Sequence, residues 1–203
     1  MTAEALCLAL TLASQSFGPL PADHLELACE QAGHLIQTAE AQDIDPTVLA
    51  GLIYVESRWT PDAVSRSGAC GLTQVLPRYV DETCDELKDP ATSIIVGTRS
   101  LKKWTTMRVR RNGRLVRVPR TGGMRTALAC YNAGYACADS PGGRSYADAV
   151  LRYSRRIQNL LDQQTESPTE SQKATPNLSN MYMPVHEAGA GGYYRPLYIV
   201  GSL

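Results

Sequence analysis

Residues 1–57 contain no Lys or Arg, against eight acids, while residues 58–125 carry fourteen basic residues and six acids. The 203-residue chain is neutral overall, so no uniform charge commits it to a partner of one sign. The segregation leaves two readings: segments that neutralise each other within one domain, or one positive face that favours anionic partners. No CxxC pair occurs and only three His are present, which argues against a structural zinc site. No apolar run reaches the length of a bilayer span. The opening MTAEALCLALTLASQS has an apolar stretch, Ala5–Ala13, about as long as a signal-peptide core. It lacks a basic n-region and has Glu4 instead, so it reads as an amphipathic or packing helix. No internal repeat is visible.

A hydrophobic content of 43% is ordinary for a globular chain, and the length suffices for one core. Six cysteines, at 7, 29, 70, 84, 130 and 137, are many for a reduced compartment. Their even number permits three disulfides, but spacing does not select a pairing. The reading favoured is six buried thiols acting as small apolar residues. Cys130–Cys137, flanking one short loop, is the best-placed bridge.

Composition divides the chain into an N-terminal extension (1–19), a helical domain (20–161), a linker (162–180) and a tail (181–203). The linker, DQQTESPTESQKATPNLSN, has almost nothing to bury. The tail holds four of the ten tyrosines and is too short for its own core. Tyr198, Ile199 and Val200 could add a strand to a partner's sheet edge, so the tail reads as a docking segment. Within the domain, helical periodicity marks Leu25–Ala41, a helix starting at Asp45-Pro46 and stopped by Thr60-Pro61, and further helices at 91–104, 124–131 and 145–161. Asn112-Gly113 within MRVRRNGRLVRV (107–118) predicts a hairpin with a two-residue turn. Val109 then faces Val116, and Arg108, Arg110 and Arg117 line the outward face. A row of Arg without interleaved aromatics is a weak nucleic-acid signal, and solvated arginines are the simpler reading.

Glu56 stands out because Leu49, Leu52, Glu56 and Trp59 recur at helical spacing, which puts a carboxylate on an apolar stripe. Desolvation there should raise its pKa and make it a proton donor. A lone Glu at a helix end more often reaches solvent. The following residues change that balance. Glu56, Ser57, Trp59, Pro61, Ala63, Ser65, Gly68, Ala69, Gly71, Leu72, Gln74 and Pro77 occur in the order and spacing of a known motif. ALACYNAG (127–134) and Tyr146 with Val150 follow at the matching distances. On these residues, about 30–157 resembles the soluble-lytic type of lytic transglycosylase. Thr73 departs from the pattern, which usually has Met, and Cys130 replaces the more usual Ala.

The resemblance implies a mainly α, lysozyme-like catalytic domain, here with a small inserted hairpin, acting on peptidoglycan glycan strands without metal or cofactor. It implies Glu56 as the catalytic acid and then base, forming a 1,6-anhydro-N-acetylmuramic acid end. Ser57, Gln74, Tyr131, Asn132 and Tyr146 are the expected substrate-binding or orienting residues. Two-carboxylate glycosidases need a second acid; Asp62, Asp81 and Asp85 lie in expected loops and read as solvated. The alternatives are a hydrolytic muramidase of the same fold and a structural virion protein with little activity. The sequence-based setting is a phage virion, internal or tail-associated, contacting other virion proteins through 181–203 and acting on the host periplasm or wall. The alternative setting is a secreted or periplasmic bacterial protein.

Overall fold

The computed structural model describes residues 1–111, 114–117 and 123–166. The chain divides into two units, 1–168 and 169–203, and the second lies outside the described residues, as do most of the expected linker and all of the docking tail. Eight helices are described: α1 (Ala3–Phe17), α2 (Ala22–Glu30), α3 (Ala32–Ala41), α4 (Pro46–Ser57), α5 (Cys84–Leu87), α6 (Pro90–Thr106), α7 (Gly123–Ala133) and α8 (Pro141–Glu166). Strands β1 (Arg108–Arg111) and β2 (Arg114–Arg117) pair antiparallel, with Val109 opposite Val116 and Arg111 opposite Arg114. The expected outward row of Arg108, Arg110 and Arg117 concerns side chains outside those described.

Helix starts follow local chemistry. The Asp45 carboxylate caps α4 by accepting the Thr47 N–H at 2.8 Å, and Pro46 occupies the first turn. Asp89 and Pro90 repeat the device on α6, where the Thr92 N–H reaches Asp89 at 2.8 Å. The end of α4 differs from expectation. Arg58 (φ 52°) and Trp59 (φ 62°), both left-handed, stop it before Thr60-Pro61. The turn carries Trp59 into the core, where it is 0% exposed. Arg58 donates to the Pro19 carbonyl at 2.7 Å and to the Gly18 carbonyl at 3.2 Å, tethering the strained turn to the end of α1.

The single helix expected over Leu25–Ala41 is two. It breaks at Gln31, whose N–H bonds back to the Leu27 carbonyl at 2.9 Å while α3 restarts beyond it. Apolar periodicity continues across the break, so the pattern alone could not reveal it. Residues 1–19 are part of the domain rather than an extension: Leu6 and Leu10 of α1 are fully buried. Helix α8 runs past Leu161 to Glu166, and Gln164 donates to the Ala5 carbonyl at 3.4 Å.

All six cysteines are paired: Cys7–Cys29 joins α1 to α2, Cys70–Cys84 joins a loop to α5, and Cys130–Cys137 closes the end of α7. This corrects the reading of six thiols. Burial and pairing leave the same apolar mark on a sequence, and only the fold brings residues 22 and 14 positions apart together. Reduction is expected to lower stability by about 2–4 kcal/mol for the longer loops and less for the shortest. The check is Tm with and without reductant; an unchanged Tm would show that the bridges contribute nothing.

Helix α4 lies at the centre and crosses α8 closely at Gly51. A Cβ there would come within 2.7 Å of the Val150 carbonyl oxygen. Thr47 and Ser154 share a hydrogen bond at 2.7 Å across the same contact. Tyr54 and Tyr153 stack with ring centroids 3.9 Å apart. This antiparallel crossing sets the register that brings Tyr146, near the start of α8, to Glu56 at the end of α4.

Candidate active site

Glu56 is half-buried at the C-terminal end of α4. The Tyr146 hydroxyl donates to its Oε1 at 2.6 Å. Burial raises the carboxyl pKa to about 7, against the opposing effect of the Tyr146 hydrogen bond. Because Oε1 already accepts the Tyr146 hydrogen bond, the carboxyl proton belongs on Oε2. Burial and the nearby Glu56 charge push the Tyr146 and Tyr131 phenols well above their ordinary value, so both remain donors.

Tyr131, on α7, donates its hydroxyl to the Thr73 carbonyl at 2.7 Å. That carbonyl is fixed by a buried latch. The Thr73 hydroxyl donates to the Ser93 carbonyl at 2.9 Å, and the Thr73 N–H donates to Ser93 Oγ at 3.1 Å. Thr73 therefore turns inward, and the motif position where relatives carry Met presents no side chain to the surface here. Gly71 (φ 75°) makes the loop possible: a Cβ would meet the Leu87 carbonyl oxygen at 1.8 Å.

The expected residues separate into different roles. Glu56, Tyr131 and Tyr146 come together. Gln74, held left-handed at φ 49°, spends its amide on the Ala63 carbonyl at 3.0 Å and the Gly71 carbonyl at 2.9 Å. Its side chain braces the loop. Ser57 donates back to the Ile53 carbonyl at 3.3 Å. Gln74, Tyr131 and Asn132 line a cavity of about 560 Å³, but Ser57, Glu56 and Tyr146 do not. The cavity also takes Arg78, Tyr79, Lys103, Trp104 and Tyr135, which sequence reading did not single out. Arg78 and Tyr79 directly follow the motif's Pro77, and an Arg-Tyr pair there was the available signal. Asp62, Asp81 and Asp85 are exposed, and no second carboxylate contributes to the shift of Glu56.

A carboxyl poised near neutrality can give up a proton and later recover one. Activity carried by its acid form is expected to fall about tenfold for each pH unit above about 7. Measurement of kcat between pH 5 and 9 checks this; a rate still rising at pH 9 would contradict it.

Residues 34–151 match the Transglycosylase SLT domain family. The fold is similar to the X-ray structure of lytic transglycosylase Slt from Pseudomonas aeruginosa, determined for an inactive Glu-to-Gln mutant, with a TM-score of 0.51 and 17% identity. The match covers 77% of this chain and 30% of that one, so this chain corresponds to under a third of the Pseudomonas protein. At that identity the likeness establishes the fold. A sequence search of curated proteins gave no match.

Proposed function

The chain belongs to the Transglycosylase SLT domain family, and from that premise we propose that it is a peptidoglycan lytic transglycosylase using Glu56 alone. The supporting observation is one half-buried carboxyl, raised to about 7 and held by Tyr146, with no carboxylate partner among the described residues. In the first step, protonated Glu56 gives its proton to the glycosidic oxygen between N-acetylmuramic acid and N-acetylglucosamine, and the bond from C1 to that oxygen breaks. In the second, the Glu56 carboxylate takes the proton of the muramoyl C6 hydroxyl as its oxygen bonds to C1. The acid is restored, no water is consumed, and a 1,6-anhydro end remains. Tyr146 orients the carboxyl, and Tyr131 and Gln74 shape the adjoining wall. The similar Pseudomonas enzyme is inactive as a Glu-to-Gln mutant, which supports a required Glu on this fold.

Mass analysis of a peptidoglycan digest tests this reading. Products lighter by one water than hydrolytic fragments are expected; fragments carrying an added water would make the chain a muramidase, and an undigested wall would leave only a structural role.

The proposed place of action is the cell wall. Three disulfides favour the secreted or periplasmic setting over assembly of a phage virion in a reducing cytoplasm. The Tyr-rich segment 181–203 supports the virion setting, with local wall opening during infection. Fractionation separates the two: recovery with the bacterial envelope favours the first, and recovery with purified particles the second. Among the described residues, no helix is long and apolar enough to cross a membrane.

A further inference from the structure

We infer that the cavity beside Tyr131 is a subsite for a carboxylate of the peptide stem borne by the glycan, and that Arg78 and Lys103 select it. The inference rests on the proposed action on peptidoglycan and adds which part of the polymer is read.

The cavity has an uneven chemistry. Trp104 and Tyr135 form an edge-on pair with centroids 5.3 Å apart, giving one apolar wall. Arg78, from the turn at 77–79, and Lys103, from α6, bring two cations to the same space from separate elements. No Asp or Glu is among the described lining residues. Four cations outside the cavity pair with acids: Lys88 with Asp85, Arg99 with Glu82, Lys102 with Asp43 and Arg125 with Asp148. Arg78 and Lys103 form no ion pair among the described residues. The Arg78 guanidinium instead lies over the Tyr79 ring, 4.9 Å from its centroid. That contact engages a face and leaves the in-plane N–H donors available to a carboxylate.

A sugar ring alone explains the aromatic wall but not the two cations, because in the stem-bearing polymer the muramoyl lactyl carboxyl is tied up as an amide and the glycan itself is neutral. The peptide stems carry carboxylates along the same polymer. The volume suits a segment of a few residues. Tyr131 borders the cavity and feels the Glu56 charge, so a stem held there sits next to the proposed cleavage point.

The test uses the full chain and three substrates: glycan strands with peptide stems, the same strands stripped of peptide and with their lactyl carboxyls capped as amides, and strands whose stem carboxylates are converted to carboxamides. The wild type is expected to prefer the first. Arg78→Gln with Lys103→Gln should lower the ratio of kcat/KM on peptide-bearing to peptide-free strands about tenfold, mainly through KM. Arg78→Lys with Lys103→Arg should restore most of the preference, and Lys102→Gln, a cation outside the cavity, should not alter it. An unchanged ratio in the double Gln variant, or equal use of carboxylate and carboxamide strands, overturns the subsite while leaving lytic activity standing. If the wild type cleaves none of the three, the proposed activity fails and binding decides the subsite. A soluble disaccharide-peptide followed by Trp fluorescence should then bind in its carboxylate form and not as the carboxamide; equal binding or none overturns the subsite.

Discussion

Glu56→Gln is expected to abolish glycan cleavage, with a loss of roughly 10²–10⁴-fold or more, while the fold persists. Gln cannot donate the proton, yet its amide oxygen can still accept from Tyr146. The same substitution should alter stability with a defined sign. The folded pKa of Glu56 is raised, so the native state binds the proton more tightly than the unfolded state. The favourable contribution is fully present below the ordinary Glu value, about 4.3, and is lost as pH rises toward about 7. Above that window the native state carries a buried charge that Gln avoids. The mutant should therefore gain Tm relative to wild type at pH 8, and the gain should shrink by pH 4. Turnover near the wild-type rate would remove Glu56 from the mechanism.

Gly71→Ala should produce the second large loss, this time in the scaffold. The added Cβ meets the Leu87 carbonyl oxygen at 1.8 Å and Ser93 Oγ at 2.8 Å, at a backbone angle of φ 75°. Left-handed strain and overpacking together predict about 2–5 kcal/mol. The displaced loop carries the Thr73 carbonyl that receives Tyr131, so kcat should fall as well. Gly68→Ala is the comparison: its φ is 82°, but no atom lies within 4 Å of the new Cβ, leaving the backbone cost alone. Urea unfolding distinguishes the two, and equal ΔG values would refute close packing at Gly71.

What the sequence made legible followed from local rules. Asp45-Pro46 and Asp89-Pro90 announce helix starts because an acid before a proline satisfies free N–H groups and presets φ. Glu56 was visible because a carboxylate interrupted an apolar stripe. Features set by long-range geometry were not legible. Gln31 splits a continuous pattern, and Arg58 with Trp59 ends α4 by adopting angles uncommon for non-glycine residues. The cysteine pairing required the fold itself. Gln74 was expected to contact substrate because its amide suits a sugar; the loop's own carbonyls take that amide first. Arg78, Lys103, Trp104 and Tyr135 escaped notice because they converge from separate elements and share no periodicity.

The account depends on Glu56 being a protonated acid at the start of each cycle. A ¹³C NMR titration of the Glu side-chain carboxyls, with Glu56→Gln assigning the resonance, measures this directly. The account predicts one carboxyl titrating near 7, apart from the other glutamates and missing in the mutant. A Glu56 carboxyl titrating near the ordinary value of about 4.3 would contradict it.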